Sequence, residues 1–193
     1  VLLRDFCILK FMETLYYTLP NGLRIVHQGS MSEVAYIGIM IGAGTRDENK
    51  QTNGMAHYIE HCVFKGTHSK SASQIIRAIE DIGGEINAYT TKEETTFYAA
   101  TLTEHAQSTL HLIAEMILEP TFRKEETDKE RTVIFDEIES YNDSPSELIY
   151  DDFESLVFNG HPLAMPILGT RKTLRRISSK PDYALNWMRK HYR

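Results

Sequence analysis

The chain has 193 residues, of which 41% are hydrophobic and 25% charged, and a formal net charge of -6. That length buries one substantial core with room for a second lobe, and the composition is that of an ordinary globular protein. The negative balance leaves no electropositive footprint for nucleic acid, no apolar run approaches the roughly twenty residues of a membrane helix, and two cysteines, Cys7 and Cys62, cannot build a disulfide framework.

The opening Val1–Phe11 is interrupted by Arg4, Asp5 and Lys10, with no small-residue cleavage site behind it, so it makes a poor signal peptide. Residues 1–11 are expected to be upstream or appended sequence, with Met12 a natural start and one globular unit over 12–193. Leu15–Thr18 and Leu23–Gln28 read as two strands around Pro20-Asn21-Gly22, where Asn-Gly supplies the positive φ of a tight hairpin. Glu33–Ile41, rich in Val, Ile and Tyr, is a third strand closed by Gly42-Ala43-Gly44. Thr45–Asn53 is a polar loop, and Asn53 is the expected N-cap of a helix through Met55–Phe64.

Ser71–Ile82 carries Ala72, Ile75, Ile76 and Ile79 at helical spacing and stops at Gly83-Gly84. Glu85–Thr91 and Thr95–Thr101 are strands about the turn Lys92-Glu93-Glu94. Glu104–Leu118 is an amphipathic helix. Lys124–Tyr141 is a long charged one, with Thr132, Val133, Ile134, Ile138 and Tyr141 as candidate buried positions. Asn142-Asp143-Ser144-Pro145 breaks it, Ser146–Phe158 resumes as helix, Gly160–Gly169 is loop, and Thr170–Ile177 and Pro181–Tyr192 are two short helices. The basic runs at Arg171–Arg176 and Arg189–Arg193 read as solvated helix faces. With no regular βαβ repetition, the order gives an α+β fold, a mixed or antiparallel sheet with helices packed on it.

The chemistry concentrates in His57-Tyr58-Ile59-Glu60-His61. On a helix, residues four apart share one face, so His57 and His61 can aim both imidazoles at one ion. Glu60 stands beside them, able to reach a metal-bound water without occupying a metal position. This is HExxH reversed, the inverted zincin arrangement. A catalytic zinc takes three protein ligands and leaves one position open. The helix Lys124–Tyr141 offers Glu130 and Glu137, two turns apart and on one face. An inward carboxylate there is costly unless it is paired or metal-bound.

The competing reading is plain: a five-residue motif arises by chance, as two surface histidines around a solvated glutamate. His27, His68, His105, His111, His161 and His191 have no partner at ligand spacing and take surface or packing roles. Glu125, Glu126 and Glu139 read as solvated. Cys62 reads as a small core residue, and Tyr58, Tyr89, Phe97, Tyr98 and Trp187 as packing residues.

Several stretches, in order from about Glu13 to the last residue, resemble one family. They are Leu19-Pro20-Asn21-Gly22-Leu23, Gly42-Ala43-Gly44-Thr45-Arg46-Asp47-Glu48, Gly54 through Thr67 around the motif, Gly83-Gly84-Glu85-Ile86-Asn87-Ala88-Tyr89-Thr90, and Glu130-Arg131 followed by Val133 and Glu137-Ile138. The chain thus resembles the N-terminal catalytic portion of the M16 metallopeptidases, the family of pitrilysin, insulin-degrading enzyme and the mitochondrial processing peptidase.

The resemblance implies Zn2+ held by His57, His61 and Glu137, with Glu60 as general base and Glu130 as a carboxylate beside the site. It implies a substrate strand at Asn87, Ala88, Tyr89 and Thr90, binding an extended peptide by strand addition, and hydrolysis by a metal-activated water. It further implies that one sheet strand beyond Tyr192 is missing and that a second half-domain completes the site. That half would lie in the same chain or in a partner chain, a homodimer included. The alternative is a non-catalytic partner or scaffold subunit of the same family, a class that typically lacks part of the ligand set. The expected location is the cytoplasm of a bacterium. A mitochondrial matrix enzyme is less favoured because Val1–Phe11 is not a Ser- and Arg-rich transit peptide.

Overall fold

The computed structural model describes residues 13–192; the expected upstream segment 1–11, and Cys7 within it, lie outside the described residues. The described residues form five strands and seven α-helices, beginning with β1 (Thr14–Thr18), β2 (Arg24–Gln28), β3 (Val34–Ile41), α1 (Met55–Val63), α2 (Ala72–Glu80), β4 (Glu85–Thr90) and β5 (Thr95–Leu102). Then follow α3 (Ala106–Leu118), α4 (Lys124–Asn142), α5 (Pro145–Val157), α6 (Arg171–Ser178) and α7 (Pro181–His191). Every ladder is antiparallel, and helices pack on the sheet, as the order of elements implies.

The single expected sheet divides in two. β1 and β2 form their own two-stranded ladder, and β3, β5 and β4 form a second in that order. The hairpin turns through Gly22 at φ 91°, but its residues are almost all exposed. Asn-Gly specifies the turn without supplying anything for the strands to pack on.

In the three-stranded sheet, β5 is central and β4 and β3 are the edges among the described residues. Phe97 and Ala99 of β5 are fully covered, and alternation along β4 turns Ile86, Ala88 and Thr90 inward while Asn87 and Tyr89 face out. Tyr89 and Tyr98 meet on the outer face, with ring centroids 6.1 Å apart. Helices α1 and α3 cover the inner face, and α4, α6 and α7 stack on α1 from the other side. The core therefore runs through Met55, Ile59, Val63, Ile113, Met116 and Ile134, placing the motif helix at the centre of the molecule.

Two details depart from the sequence reading. The N-cap of α1 is Gly54, at φ 89°, and Asn53 caps nothing. Its carboxamide donates instead to Glu48 Oε2 (3.1 Å) and to the Pro166 carbonyl (2.8 Å). On α4 the inward stripe is Thr127, Glu130 and Ile134, leaving Val133 48% exposed and Thr132 in solvent. Positions 127, 130 and 134 follow a 3–4 spacing from which 132 and 133 are rotated by about 100–200°. Ile138 does pack against the core, and Cys62, Tyr58 and Trp187 are buried as expected.

Candidate metal centre

The motif helix is positioned from its N-terminus. Buried Glu48, on the loop after β3, accepts the Gly54 and Ala56 N–H groups, each at 2.8 Å. It thereby satisfies two of the orphan donors that every helix start exposes. Beneath it, Gly54 and Gly169 cross backbone to backbone. A Cβ on Gly54 would meet Gly169 Cα at 2.9 Å, and one on Gly169 would meet the Asn53 carbonyl oxygen at 2.6 Å. Both glycines also have positive φ, so the crossing excludes other residues twice over. Burial pushes the Glu48 carboxyl up to about 7 despite those hydrogen bonds. Sequence spacing gives Glu48 no role by itself, because its partners are two backbone N–H groups six and eight residues on and the Asn53 amide.

One turn further along α1, His57 and His61 present their rings to the same space, edge to face with centroids 4.6 Å apart. Glu137 of α4 reaches both: Oε1 lies 3.6 Å from His57 Nε2, and Oε2 lies 3.4 Å from His61 Nε2. One ligand atom from each of the three residues falls within 4.8 Å of the others. Glu137 Oε2 is buried yet has no hydrogen-bond partner, as has His57 Nδ1.

These separations are long for hydrogen bonds. Atoms about 2.0–2.1 Å from a tetrahedral zinc, however, stand roughly 3.3–3.4 Å apart. Two imidazole nitrogens, one carboxylate and an orphaned oxygen among them make a donor set that fits zinc.

Glu130 sits two turns before Glu137 and takes the far side of His61. Its Oε2 is 3.2 Å from His61 Nδ1, and its Oε1 accepts from Lys65 Nζ at 2.9 Å. The two glutamates thus divide one imidazole, Glu130 on Nδ1 and Glu137 on Nε2. Their shared face, anticipated from the seven-residue spacing, is what makes this possible. Glu60 lies on the neighbouring side of α1, where its Oε2 accepts the Thr90 hydroxyl of β4.

The electrostatics follow from burial set against these neighbours. Burial, reinforced by His61, holds His57 down at about 4, with Glu137 opposing. His61 is also depressed by burial, but Glu130 and Glu137 outweigh that and raise it to about 9. Burial raises Glu60, opposed by the Thr90 hydroxyl. For Glu130, burial is overcome by His61 and Lys65, and for Glu137 by His61 and to a lesser extent His57; both are held below the usual carboxylate range. The structure brings His57, Glu60, His61, Glu130, Glu137 and Thr90 together. Asn87 and Tyr89 point outward on β4, on the face away from the helices.

Comparison with known proteins gives the same frame. The family model "Insulinase (Peptidase family M16)" matches residues 24–171. An uncharacterized zinc protease of Bacillus subtilis is 40% identical over 178 residues, covering 91% of this chain and 43% of that protein. A probable mitochondrial-processing peptidase subunit beta of Arabidopsis thaliana is 36% identical over 186 residues, covering 96% of this chain and 35% of that protein. The chain thus spans well under half the length of these relatives. A protease from Helicobacter pylori shares the fold, with a TM-score of 0.86 at 24% identity, over 93% of this chain and 43% of that one. A match running over most of the chain, across the motif helix and the whole of α4, is decisive: the chain belongs to the insulinase family, peptidase family M16.

Proposed function

We propose that this chain carries the metal centre of a zinc-dependent endopeptidase that hydrolyses extended peptides, with His57, His61 and Glu137 as ligands and Glu60 as general base. The observation that carries the reading is that one ligand atom from each of His57, His61 and Glu137 lies within 4.8 Å of the others, and that Glu137 Oε2, 3.4 Å from His61 Nε2, is buried without a hydrogen-bond partner. When bound, zinc supplies a water of lowered pKa and polarises the scissile carbonyl.

The remaining work belongs to side chains. Glu60 takes the proton of the attacking water and passes it to the leaving amine, a role favoured by the raised pKa that burial confers. Glu130 receives the Nδ1 side of His61 and so fixes the orientation of that ring. The open edge of β4, over Asn87, Ala88, Tyr89 and Thr90, offers main-chain groups for an extended peptide. Tyr89 would meet alternate substrate side chains from the outer face.

The relatives' names, zinc protease and processing peptidase, support a proteolytic role. Their greater length supports a second half, in the same chain or from a partner chain, that completes the substrate site; a homodimer is one form of this. Full activity of a 22 kDa monomer would overturn that part. A bacterial enzyme fits the Bacillus subtilis relative. No helix among the described residues is long and apolar enough to cross a membrane. A non-catalytic subunit is less well supported, because the donor set and Glu60 are all present.

The test is metal content by elemental analysis, for wild type and Glu137→Gln in parallel. About one zinc per wild-type chain, falling sharply in the variant, is expected. A folded wild type that takes up no zinc at neutral pH would falsify the assignment.

A further inference from the structure

We propose that Thr90 is the positioning residue for Glu60, and that its hydroxyl ties the base to the strand along which the peptide lies; this rests on the reading of Glu60 as general base. The inward face of β4 presents Ile86 and Ala88 to the core, both apolar, and then Thr90. A strand position on that face calls for an apolar side chain unless a polar one has a partner. The partner is Glu60, whose Oε2 accepts the Thr90 hydroxyl.

Among the described residues no protein group hydrogen-bonds the other oxygen of Glu60. One oxygen is held and the other is left for a proton. A glutamate side chain has three rotatable bonds, and without a tether it spreads over several rotamers.

Thr90 is itself anchored. It pairs with Thr95 at the turn end of the β4–β5 ladder. The turn is pinned to the loop after β3 by the Arg46 N–H on the Lys92 carbonyl (2.7 Å). From the other side, Lys92 Nζ holds the Met165 carbonyl (2.6 Å), Asp151 (3.3 Å) and Glu154 (3.0 Å). The hydroxyl therefore belongs to a fixed point on the edge strand. A peptide pairing with that edge is placed relative to Glu60 by one hydrogen bond rather than through the helix.

The experiment compares wild type, Thr90→Val, Thr90→Ser and Glu60→Gln in the zinc-loaded full-length protein, with a fluorogenic extended peptide as substrate. Crystal structures of wild type and Thr90→Val accompany the kinetics. Thr90→Val should keep its zinc and a KM within about twofold while kcat falls roughly 10- to 100-fold, the scale of a misplaced reacting group. Thr90→Ser should recover most of kcat, and the Glu60 carboxylate should leave its wild-type position in the valine variant. Wild-type kcat in Thr90→Val, a serine variant as impaired as the valine one, or an unmoved carboxylate each overturns the proposal. In a preparation without turnover, the crystallographic comparison decides. Normal turnover by Glu60→Gln would instead remove the base assignment itself, whatever Thr90 does.

Discussion

Helices α1 and α5 both carry apolar side chains at helical spacing, yet they end in opposite situations. On α1, Met55, Ala56, Ile59, Cys62 and Val63 are fully enclosed, and His57 with them. On α5 no residue is buried, and Ile149, Phe153, Leu156 and Val157 stand in solvent at helical spacing. α1 is gripped by the sheet below and by α4, α6 and α7 above. α5 packs along α4 and the short turn at Pro162–Ala164 but has no sheet beneath it, and it is further tied by Lys92 on Asp151 and Glu154 and by the Tyr141 hydroxyl on the Glu147 carbonyl.

The difference locates precision. A metal centre needs donors fixed to a fraction of an ångström, and a helix packed between a sheet and other helices, as α1 is, provides that for the two histidines. Point tethers leave an element free to shift its contacts.

The largest effects should come from α1. Glu60→Gln keeps the helix, its packing and the three metal donors, so zinc content should stay at the wild-type level. Peptide hydrolysis should fall by about two to four orders of magnitude. Retained zinc with normal turnover would break the link between the enclosed helix and the chemistry. Next is packing itself. Ile59→Ala opens a cavity beneath the ligands and should cost about 2–5 kcal/mol in urea unfolding. Leu156→Ser on α5 should stay within about 0.5 kcal/mol. Equal costs at the two positions would mean that α5 is covered in solution.

How much of this was legible in the sequence follows the same division. The elements near α1 read well, because apolar spacing, Gly83-Gly84 and the turn residues all describe local geometry. The two histidines and the pair Glu130 and Glu137 were legible for the same reason, since helical periodicity fixes which residues share a face. Asn53 shows where that reasoning stops. It is a good N-cap by residue type, but Glu48 supplies the acceptor from outside the helix and turns the Asn53 amide away. Val133 failed similarly: an apolar residue on a charged helix was assigned inward, while the buried stripe is set by Glu130, whose burial depends on His61 and Lys65. The separation of the β1–β2 hairpin was not legible at all, since strand pairing beyond the turn depends on long-range partners.

Within the site, Glu130→Gln keeps the shape but removes the charge facing His61 and Lys65. Zinc affinity should fall about 10- to 100-fold, and by more in Glu137→Gln, which alters a donor atom itself. Competition with a chelator of known affinity measures both. A larger loss in Glu130→Gln would exchange the roles of the two carboxylates.

The last expected effect is a slope rather than a single loss, and it belongs to the N-terminus of α1. The Glu48 carboxyl is raised in the folded chain from an ordinary 4.5 to about 7, with burial as the main cause. Between those values the folded state binds a proton that the unfolded state has released. Stability from this group is therefore fully present below about pH 4.5 and is lost as pH rises through about 7. The slope is at most about 1.4 kcal/mol per pH unit. Glu48→Gln keeps one acceptor oxygen, enough for the Gly54 N–H and the Asn53 amide but not also for the Ala56 N–H, and it cannot ionise; its urea midpoint should be lower overall but should lose this component of the pH dependence between 4.5 and 7. A parallel pair of curves for wild type and variant would mean that Glu48 titrates normally, and that α1 is not sealed at its start as tightly as at its centre.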